Sequence, residues 1–132
     1  MLDKLSHIGI AVRDIEEALT LYRDILGMEL KEATDVPERS LKIAFLEVGR
    51  TRIELLEGTS PDSTISKFVE KRGEGIHHLC FNVSSIDEAL NSLSDRGIRL
   101  IDSEARIGAE GNPVAFIHPL STGRVLIELE QK

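Results

Sequence analysis

The stretch His7-Ile8-Gly9-Ile10-Ala11-Val12-Arg13-Asp14-Ile15-Glu16-Glu17-Ala18-Leu19 decides the fold, because a related stretch recurs 71 residues later. The second copy is His78-Leu79-Cys80-Phe81-Asn82-Val83-Ser84-Ser85-Ile86-Asp87-Glu88-Ala89-Leu90. Histidine matches histidine at the first position, and Glu-Ala-Leu matches Glu-Ala-Leu at the last three. Similarity of a chain to itself at a fixed offset indicates a structural repeat. The sequence therefore predicts two copies of one supersecondary unit.

A second match lies near the end of each copy, at an offset of 74. There Arg52-Ile53-Glu54-Leu55-Leu56-Glu57 lies over Leu126-Ile127-Glu128-Leu129-Glu130-Gln131, so that Glu54 falls on Glu128. Each half thus starts with a histidine and carries a matched glutamate in its last apolar stretch.

Each half predicts the order strand, helix, strand, strand, strand. In the first half, apolar residues at short period predict a strand over 5–13, and helical spacing after Asp14, a candidate N-cap, predicts a helix that Gly27 ends. The other predicted strands are 28–36, 40–48 and 51–57 in the first half and 76–83, 98–102, 113–118 and 124–130 in the second. Helices are predicted at 86–95 and, between the halves, near 64–72. The segment 103–112 is the longest predicted loop, which we interpret as a substrate lid.

These elements give an α+β fold of two βαβββ modules. We expect residues 1–132 to form one domain, because neither half buries enough apolar surface alone. Module one is placed at 1–58, a linker helix at 59–74 and module two at 75–132.

Composition and charge exclude several classes of partner. A net charge of −7 without a block of Lys or Arg argues against nucleic acid and anionic membranes. No apolar run approaches the roughly 20 residues of a membrane span, and the first residues do not resemble a secretory signal, so we expect a cytoplasmic protein. The single cysteine, Cys80, permits no internal disulfide, and its apolar neighbours predict a buried thiol.

The repeated histidines and glutamates are the candidate metal ligands. A lone strand glutamate usually faces solvent, and a lone histidine is usually structural, but four matched residues reverse that expectation. Two-fold pairing of the modules would bring His7, Glu54, His78 and Glu128 to one concave face. Two imidazoles and one or two carboxylates suit a divalent ion such as Co, Ni, Mn, Fe or Zn. Successive side chains of a strand point to opposite faces, so His77 is not expected to be a ligand.

Several stretches resemble the vicinal oxygen chelate superfamily and, within it, the methylmalonyl-CoA epimerase family. They include Gly75-Ile76-His77-His78-Leu79 and Ala115-Phe116-Ile117-His118-Pro119. The remaining ones are 6–12, 52–57, 106–109 and 125–131. The resemblance covers nearly the whole chain.

This resemblance implies two modules side by side whose mixed sheet curls into a half-barrel around one metal ion. The histidine ligands of the family correspond to His7 and His78, and its last-strand glutamate corresponds to Glu128. The fourth ligand, often glutamine, is Glu54 here. Where some members carry a second catalytic glutamate, this sequence has Lys42.

The implied reaction interconverts (2R)- and (2S)-methylmalonyl-CoA by removing and returning the α-proton through a metal-stabilised enolate. Glu128 would transfer the proton on one face, and Glu54 or Lys42 on the other. An acyl-CoA is then the substrate, and a homodimer is expected. Basic residues scattered along the chain are candidates for CoA phosphate contacts, although each is more often simply solvated. They are Lys71, Arg72, Arg96, Arg99, Arg106 and Arg124.

Three other functions use the same superfamily fold. Glyoxalase I, which acts on a glutathione hemithioacetal, shares the enediolate chemistry and is the main alternative. Ring-cleaving iron dioxygenases need only two histidines and one glutamate, so a fourth ligand at Glu54 argues against them. Metal-free binding modules of the antibiotic-resistance type generally lack the ligand set, which this chain retains.

Overall fold

The residues of the chain fall into two compact units. The computed structural model describes all residues, 1–132. The N-terminal unit contains His7–His77, and the C-terminal unit contains Met1–Ser6 together with His78–Lys132. The module boundaries that the sequence places at 58 and 74 stay a prediction.

The N-terminal unit is built on a four-stranded mixed sheet. Its strands have the order β2-β3-β4-β1, in which β1 is parallel to β4 and the other neighbours are antiparallel. The elements are β1 (Leu2–Ala11), α1 (Ile15–Leu19), a π-helix (Thr20–Ile25), β2 (Glu29–Val36), a 3-10 turn (Pro37–Arg39), β3 (Leu41–Val48), β4 (Thr51–Gly58) and α2 (Thr64–Arg72).

The C-terminal unit repeats this arrangement. Its strands have the order β5-β8-β7-β6, with β5 parallel to β8 and the other neighbours antiparallel. The elements are β5 (Gly75–Val83), α3 (Ile86–Asp95), β6 (Arg106–Ile107), β7 (Pro113–Ile117), a 3-10 turn (Pro119–Ser121) and β8 (Ile127–Gln131). Strand, helix and three strands follow one another in both repeats, so the predicted α+β fold of two βαβββ modules is confirmed.

Two apolar clusters cover opposite faces of the N-terminal sheet. Ala44, Leu46 and Leu55 pack with residues of α1 on one face. Ile43 and Phe45 pack with residues of α2 on the other face. Because side chains alternate along a strand, this division fixes the face of every other residue on β3 and β4.

The C-terminal sheet has one helical face and one polar face. Residues of α3 form a cluster with Val83, Ala115, Ile117 and Leu129. The alternate positions of β5 and β8 therefore point away from α3. They are His78, Cys80, Asn82, Glu128 and Glu130, and each of them except Glu128 is buried.

The predicted helix after Asp14 is confirmed, but it changes its winding. The Asp14 carboxylate accepts a hydrogen bond from the backbone N–H of Glu17, as an N-cap does. After one α-helical turn the chain continues as a π-helix, in which the N–H of Leu26 donates to the carbonyl of Leu21. Gly27, with φ of +81°, ends it. None of the helices combines the length and apolar composition that a membrane crossing requires.

The strand predicted at 98–102 is wrong, because only an isolated bridge joins Leu100 to Ile117. The backbone N–H groups of Ile101 and Asp102 both donate to the carbonyl of Phe116. The N–H of Phe116 donates to the Asp102 carboxylate, at 2.8 Å, rather than to a backbone carbonyl. A side chain thus replaces the strand partner and ends the ladder.

Candidate metal site

The N-terminal unit holds the first histidine and glutamate together. His7 lies on β1 and Glu54 on the parallel neighbour β4. His7 Nδ1 is 2.9 Å from Glu54 Oε2, and the two residues are 4% and 6% exposed. Two polar groups that sequence matching had selected are therefore buried side by side.

Glu54 Oε2 is a buried acceptor without a hydrogen bond of acceptable geometry, despite its short distance to His7. Its other charged neighbour is Arg52, whose Nη2 lies 3.9 Å away and whose guanidinium carbon lies 5.2 Å from the Phe45 ring centroid. The arginine offsets part of the negative charge of the Glu54 carboxylate. A buried carboxylate oxygen left in this condition is suited to binding a cation.

The C-terminal unit holds the second pair in the same way. His78 lies on β5 and Glu128 on the parallel neighbour β8, and His78 Nε2 is 3.2 Å from Glu128 Oε1. The two side chains are 7% and 13% exposed. The Phe116 ring meets the His78 ring edge to face, with centroids 5.9 Å apart.

The spacing within each pair fits two ligands of one divalent ion. Imidazole nitrogen and carboxylate oxygen bind such ions at about 2.0–2.2 Å, which separates adjacent ligand atoms by roughly 2.8–3.6 Å over the range from octahedral to tetrahedral geometry. The observed 2.9 and 3.2 Å agree with that separation. Together with the unsatisfied Glu54 oxygen, the donor chemistry fits a divalent metal, although the geometry does not select which one.

Cys80 adds a sulfur atom beside the C-terminal pair. The prediction of a buried thiol is confirmed, since Cys80 is fully buried. Its Cα is paired with that of Glu128 across β5 and β8, and its sulfur lies within 4.8 Å of a Glu128 carboxylate oxygen. Sequence reasoning assigned Cys80 only to the core. The available signal was its position two residues after His78, which places both on one face of the strand.

His77 points away from its neighbour His78, as strand alternation predicts. Its ring meets the ring of Phe68 on α2 edge to face, with centroids 5.0 Å apart. An aromatic contact with the linker helix accounts for this histidine.

Lys42 and Glu54 lie on opposite faces of the N-terminal sheet. Its Cα is paired with that of Glu57 on β4, and it shares its face with Ala44 and Leu46 of the α1 cluster. Glu57 reaches the same region, because its Oε1 accepts a hydrogen bond from the N–H of Ile15. Glu54 is one of the alternate positions and faces the other way. The expectation that Lys42 could replace Glu54 in proton transfer therefore conflicts with the register of β3 and β4.

A buried carboxylate network was missed by the sequence reasoning. Glu130, only 3% exposed, accepts hydrogen bonds from Ser6 Oγ at 3.0 Å, Asn112 Nδ2 at 3.1 Å and Asn82 Nδ2 at 3.4 Å. Glu130 shares a face of β8 with Glu128, and Asn112 lies at the end of the predicted lid. No sequence pattern links these four residues.

Comparison with known proteins gives a consistent family. The model of the Glyoxalase/Bleomycin resistance protein/Dioxygenase superfamily matches residues 6–116. The mitochondrial methylmalonyl-CoA epimerase of Mus musculus is 42% identical over 131 residues, which cover 98% of this chain and 74% of that protein.

Solved structures agree with the sequence comparison. The crystal structure of methylmalonyl-CoA epimerase from Mycobacterium tuberculosis superposes with a TM-score of 0.92 at 37% identity, covering 98% of this chain and 88% of that one. A methylmalonyl-CoA epimerase in complex with methylmalonyl-CoA and NH4+ also gives a TM-score of 0.92, at 32% identity, covering 100% of this chain and 96% of that one.

Proposed function

This chain belongs to the glyoxalase/bleomycin resistance protein/dioxygenase superfamily, and from that membership we propose that it epimerises methylmalonyl-CoA with the help of one divalent metal ion. Its methylmalonyl-CoA epimerase relatives are about 40% identical over nearly its full length. The observation that carries the proposal is a histidine–glutamate pair in each unit, buried in the N-terminal unit and no more than 13% exposed in the C-terminal unit.

The ligand set that we assign consists of His7, Glu54, His78 and Glu128. Each unit contributes one imidazole and one carboxylate at a spacing suited to adjacent ligands. Co, Ni, Mn, Fe and Zn all accept this mixed nitrogen and oxygen set. When bound, such an ion would supply a Lewis acid that stabilises negative charge on the thioester oxygen.

Proton transfer is assigned to the carboxylates of the chain. The α-proton lies between a thioester and a carboxylate, and epimerisation removes it from one face of the carbon and returns a proton to the other. Glu128 is assigned to one face. Because Lys42 faces the α1 side of its sheet, Glu54 is assigned to the opposite face. Phe116 beside His78 limits the access of water to the reacting carbon, which strengthens electrostatic effects there.

An acyl-CoA is thus the expected small-molecule partner. A homodimer and a cytoplasmic location are carried forward as predictions from the sequence. Glyoxalase I-type isomerisation is the alternative activity, since it proceeds through a similar enediolate and needs a similar set of ligands.

The test follows the α-proton directly. Metal-loaded protein is incubated with (2R)-methylmalonyl-CoA in deuterated water, and NMR with stereochemical analysis records deuterium uptake and formation of the (2S) epimer. We expect both to occur. Absence of exchange with every one of the five metals would overturn the proposal. Turnover of the hemithioacetal of glutathione and methylglyoxal in its place would establish the glyoxalase alternative.

Two substitutions test the assignment of the carboxylates. Glu128→Gln and Glu54→Gln should each slow epimerisation by about 10²- to 10⁴-fold, the usual contribution of an acid–base group. Glu88→Gln is the matched control, because Glu88 is exposed on α3 in the C-terminal unit. Deuterium uptake that starts from the (2R) and the (2S) epimer should respond differently to the two variants, since each carboxylate is assigned to one face.

A further inference from the structure

Arg106 lies on the polar face of the C-terminal sheet, against the Phe116 ring that contacts His78. Its guanidinium carbon is 5.6 Å from the ring centroid of Phe116, and that ring is 5.9 Å from the ring of His78. The Phe116 ring thus contacts both the Arg106 guanidinium and the assigned ligand His78. From this placement, and resting on the proposed function, we infer that Arg106 binds the free carboxylate of the malonyl group and selects for acyl-CoA substrates that carry it.

The backbone holds Arg106 on this face. Arg106 is paired with Val114 in the short ladder of β6 and β7, and paired residues point to the same side of a sheet. Val114 and Phe116 are two positions apart on β7, so their side chains lie on the same face. Arg106 and Phe116 therefore share that face. The position is therefore fixed by strand register and does not depend on one side-chain rotamer.

Hydrogen bonds hold the segment around Arg106 in place at both of its ends. At one end Asp102 accepts the N–H of Phe116, at 2.8 Å. At the other end Asn112 donates to the buried Glu130, and the Gly108 N–H donates to the Asn112 carbonyl at 2.8 Å. These contacts order the segment before a ligand arrives, which lowers the entropy cost of binding.

The guanidinium is oriented with its terminal nitrogens available. Asp102 Oδ1 lies 3.4 Å from Arg106 Nε, and the arginine side chain is 49% exposed. This contact engages Nε, whereas a carboxylate ligand is bound best by a pair of parallel N–H groups. The Phe116 face contributes a cation–π contact that holds the plane of the guanidinium.

The position favours the malonyl carboxylate over the phosphates of CoA. A long pantetheine arm separates the thioester from the nearest phosphate, whereas the free carboxylate is bonded directly to the α-carbon. A group one ring away from His78 is within the range of the acyl end of the substrate. Arg106 is thereby distinguished from the other scattered basic residues that the sequence offered as phosphate contacts.

The test compares two ligands that differ only in the carboxylate. Malonyl-CoA and acetyl-CoA are titrated calorimetrically into wild-type protein and Arg106→Gln, each with and without Co²⁺. We expect the substitution to weaken malonyl-CoA binding by roughly 10- to 100-fold, the value of charge-assisted hydrogen bonds, and to leave acetyl-CoA binding unchanged. Arg50→Gln, a matched change in the exposed turn between β3 and β4, should affect neither ligand.

The outcomes separate this inference from the proposed function. Equal weakening of both ligands would assign Arg106 to the phosphates or the arm, and no change in either would remove it from the substrate site; both results overturn the inference. If Arg106→Gln does not fold, Arg106→Lys keeps the charge without the fork and should retain only part of the preference for malonyl-CoA. A wild-type enzyme that epimerises methylmalonyl-CoA while the variants keep the full preference refutes the inference alone. A wild type that never exchanges the α-proton refutes the function instead.

Discussion

At the scale of single residues, Glu130 shows how side-chain hydrogen bonds accommodate a buried carboxylate. Its two carboxylate oxygens share three side-chain donors, from Ser6, Asn82 and Asn112. These donors come from β1, β5 and the turn before β7, so one residue connects three separate parts of the C-terminal unit. The network lies on the same face of β8 as the assigned ligand Glu128.

Removing this carboxylate should destabilise the fold. Glu130→Ala leaves buried donors unpaired, and we expect the free energy of unfolding, measured with urea, to fall by about 3 kcal/mol. The same substitution at exposed Glu104 should change it by less than about 0.5 kcal/mol. Similar small changes at both positions would show that water replaces the lost oxygens and that the network contributes little.

At the scale of elements, the junction between β4 and α2 depends on a residue without a side chain. A Cβ built on Gly58 would collide with the hydroxyl oxygens of Ser63 and Ser66 and would lie 2.8 Å from the backbone nitrogen of Ser66. Ser63 is the N-cap of α2, and its hydroxyl accepts the N–H of Ser66 at 3.0 Å. Close approach of the strand to the helix start therefore requires glycine here.

Gly58→Ala should consequently displace the start of α2. We expect a loss of about 1–3 kcal/mol in unfolding free energy from the steric strain, including the weakened N-cap. Gly75→Ala is the matched control, because its added Cβ would meet no atom within 4 Å and its φ is not in the left-handed region. Equal stability of the two variants in urea denaturation would mean that the helix shifts without cost.

At the scale of the whole molecule, the stoichiometry of metal binding distinguishes one shared site from two separate half-sites. We predict one ion per chain by calorimetry. An ion at 100 times its dissociation constant should stabilise the fold by about 2.7 kcal/mol, seen as a rise in Tm that a chelator reverses. Either His7→Ala or His78→Ala should abolish this rise, since a site that loses one of four ligands binds its metal weakly.

The control is His77→Ala, which should keep the metal-dependent rise in Tm because the ring packs against Phe68. Two ions per chain, or a rise that is only halved in each histidine variant, would contradict a shared site. An equal loss of the metal-dependent rise in Tm in the His77 and His78 variants would contradict the assignment of these two side chains to opposite faces of β5.

Local sequence patterns were sufficient to predict the repeat, the order of elements and the two matched histidine–glutamate pairs. Periodicity and capping residues are local, so the helices after Asp14 and at 86–95 and most strand ranges were predictable. Matching His7 with His78, and Glu54 with Glu128, needed only comparison of the chain with itself. Each matched histidine is then found beside its glutamate within its own unit.

The orientations of Lys42 and Arg106 and the conformation of residues 98–102 depend on strand register and on contacts distant in sequence, which only the tertiary structure shows. Lys42 follows Leu41 and precedes Ile43 in an apolar stretch, and only its pairing with Glu57 reveals that it faces α1. The strand predicted at 98–102 does not form, because the Asp102 carboxylate accepts the hydrogen bond from the N–H of Phe116. The sequence does not distinguish Arg106 from other exposed cations, whereas the pairing of β6 with β7 places it over Phe116. For Lys42 and Arg106, a shift of one residue in strand pairing would reverse the face of the side chain, and the local pattern does not encode that register.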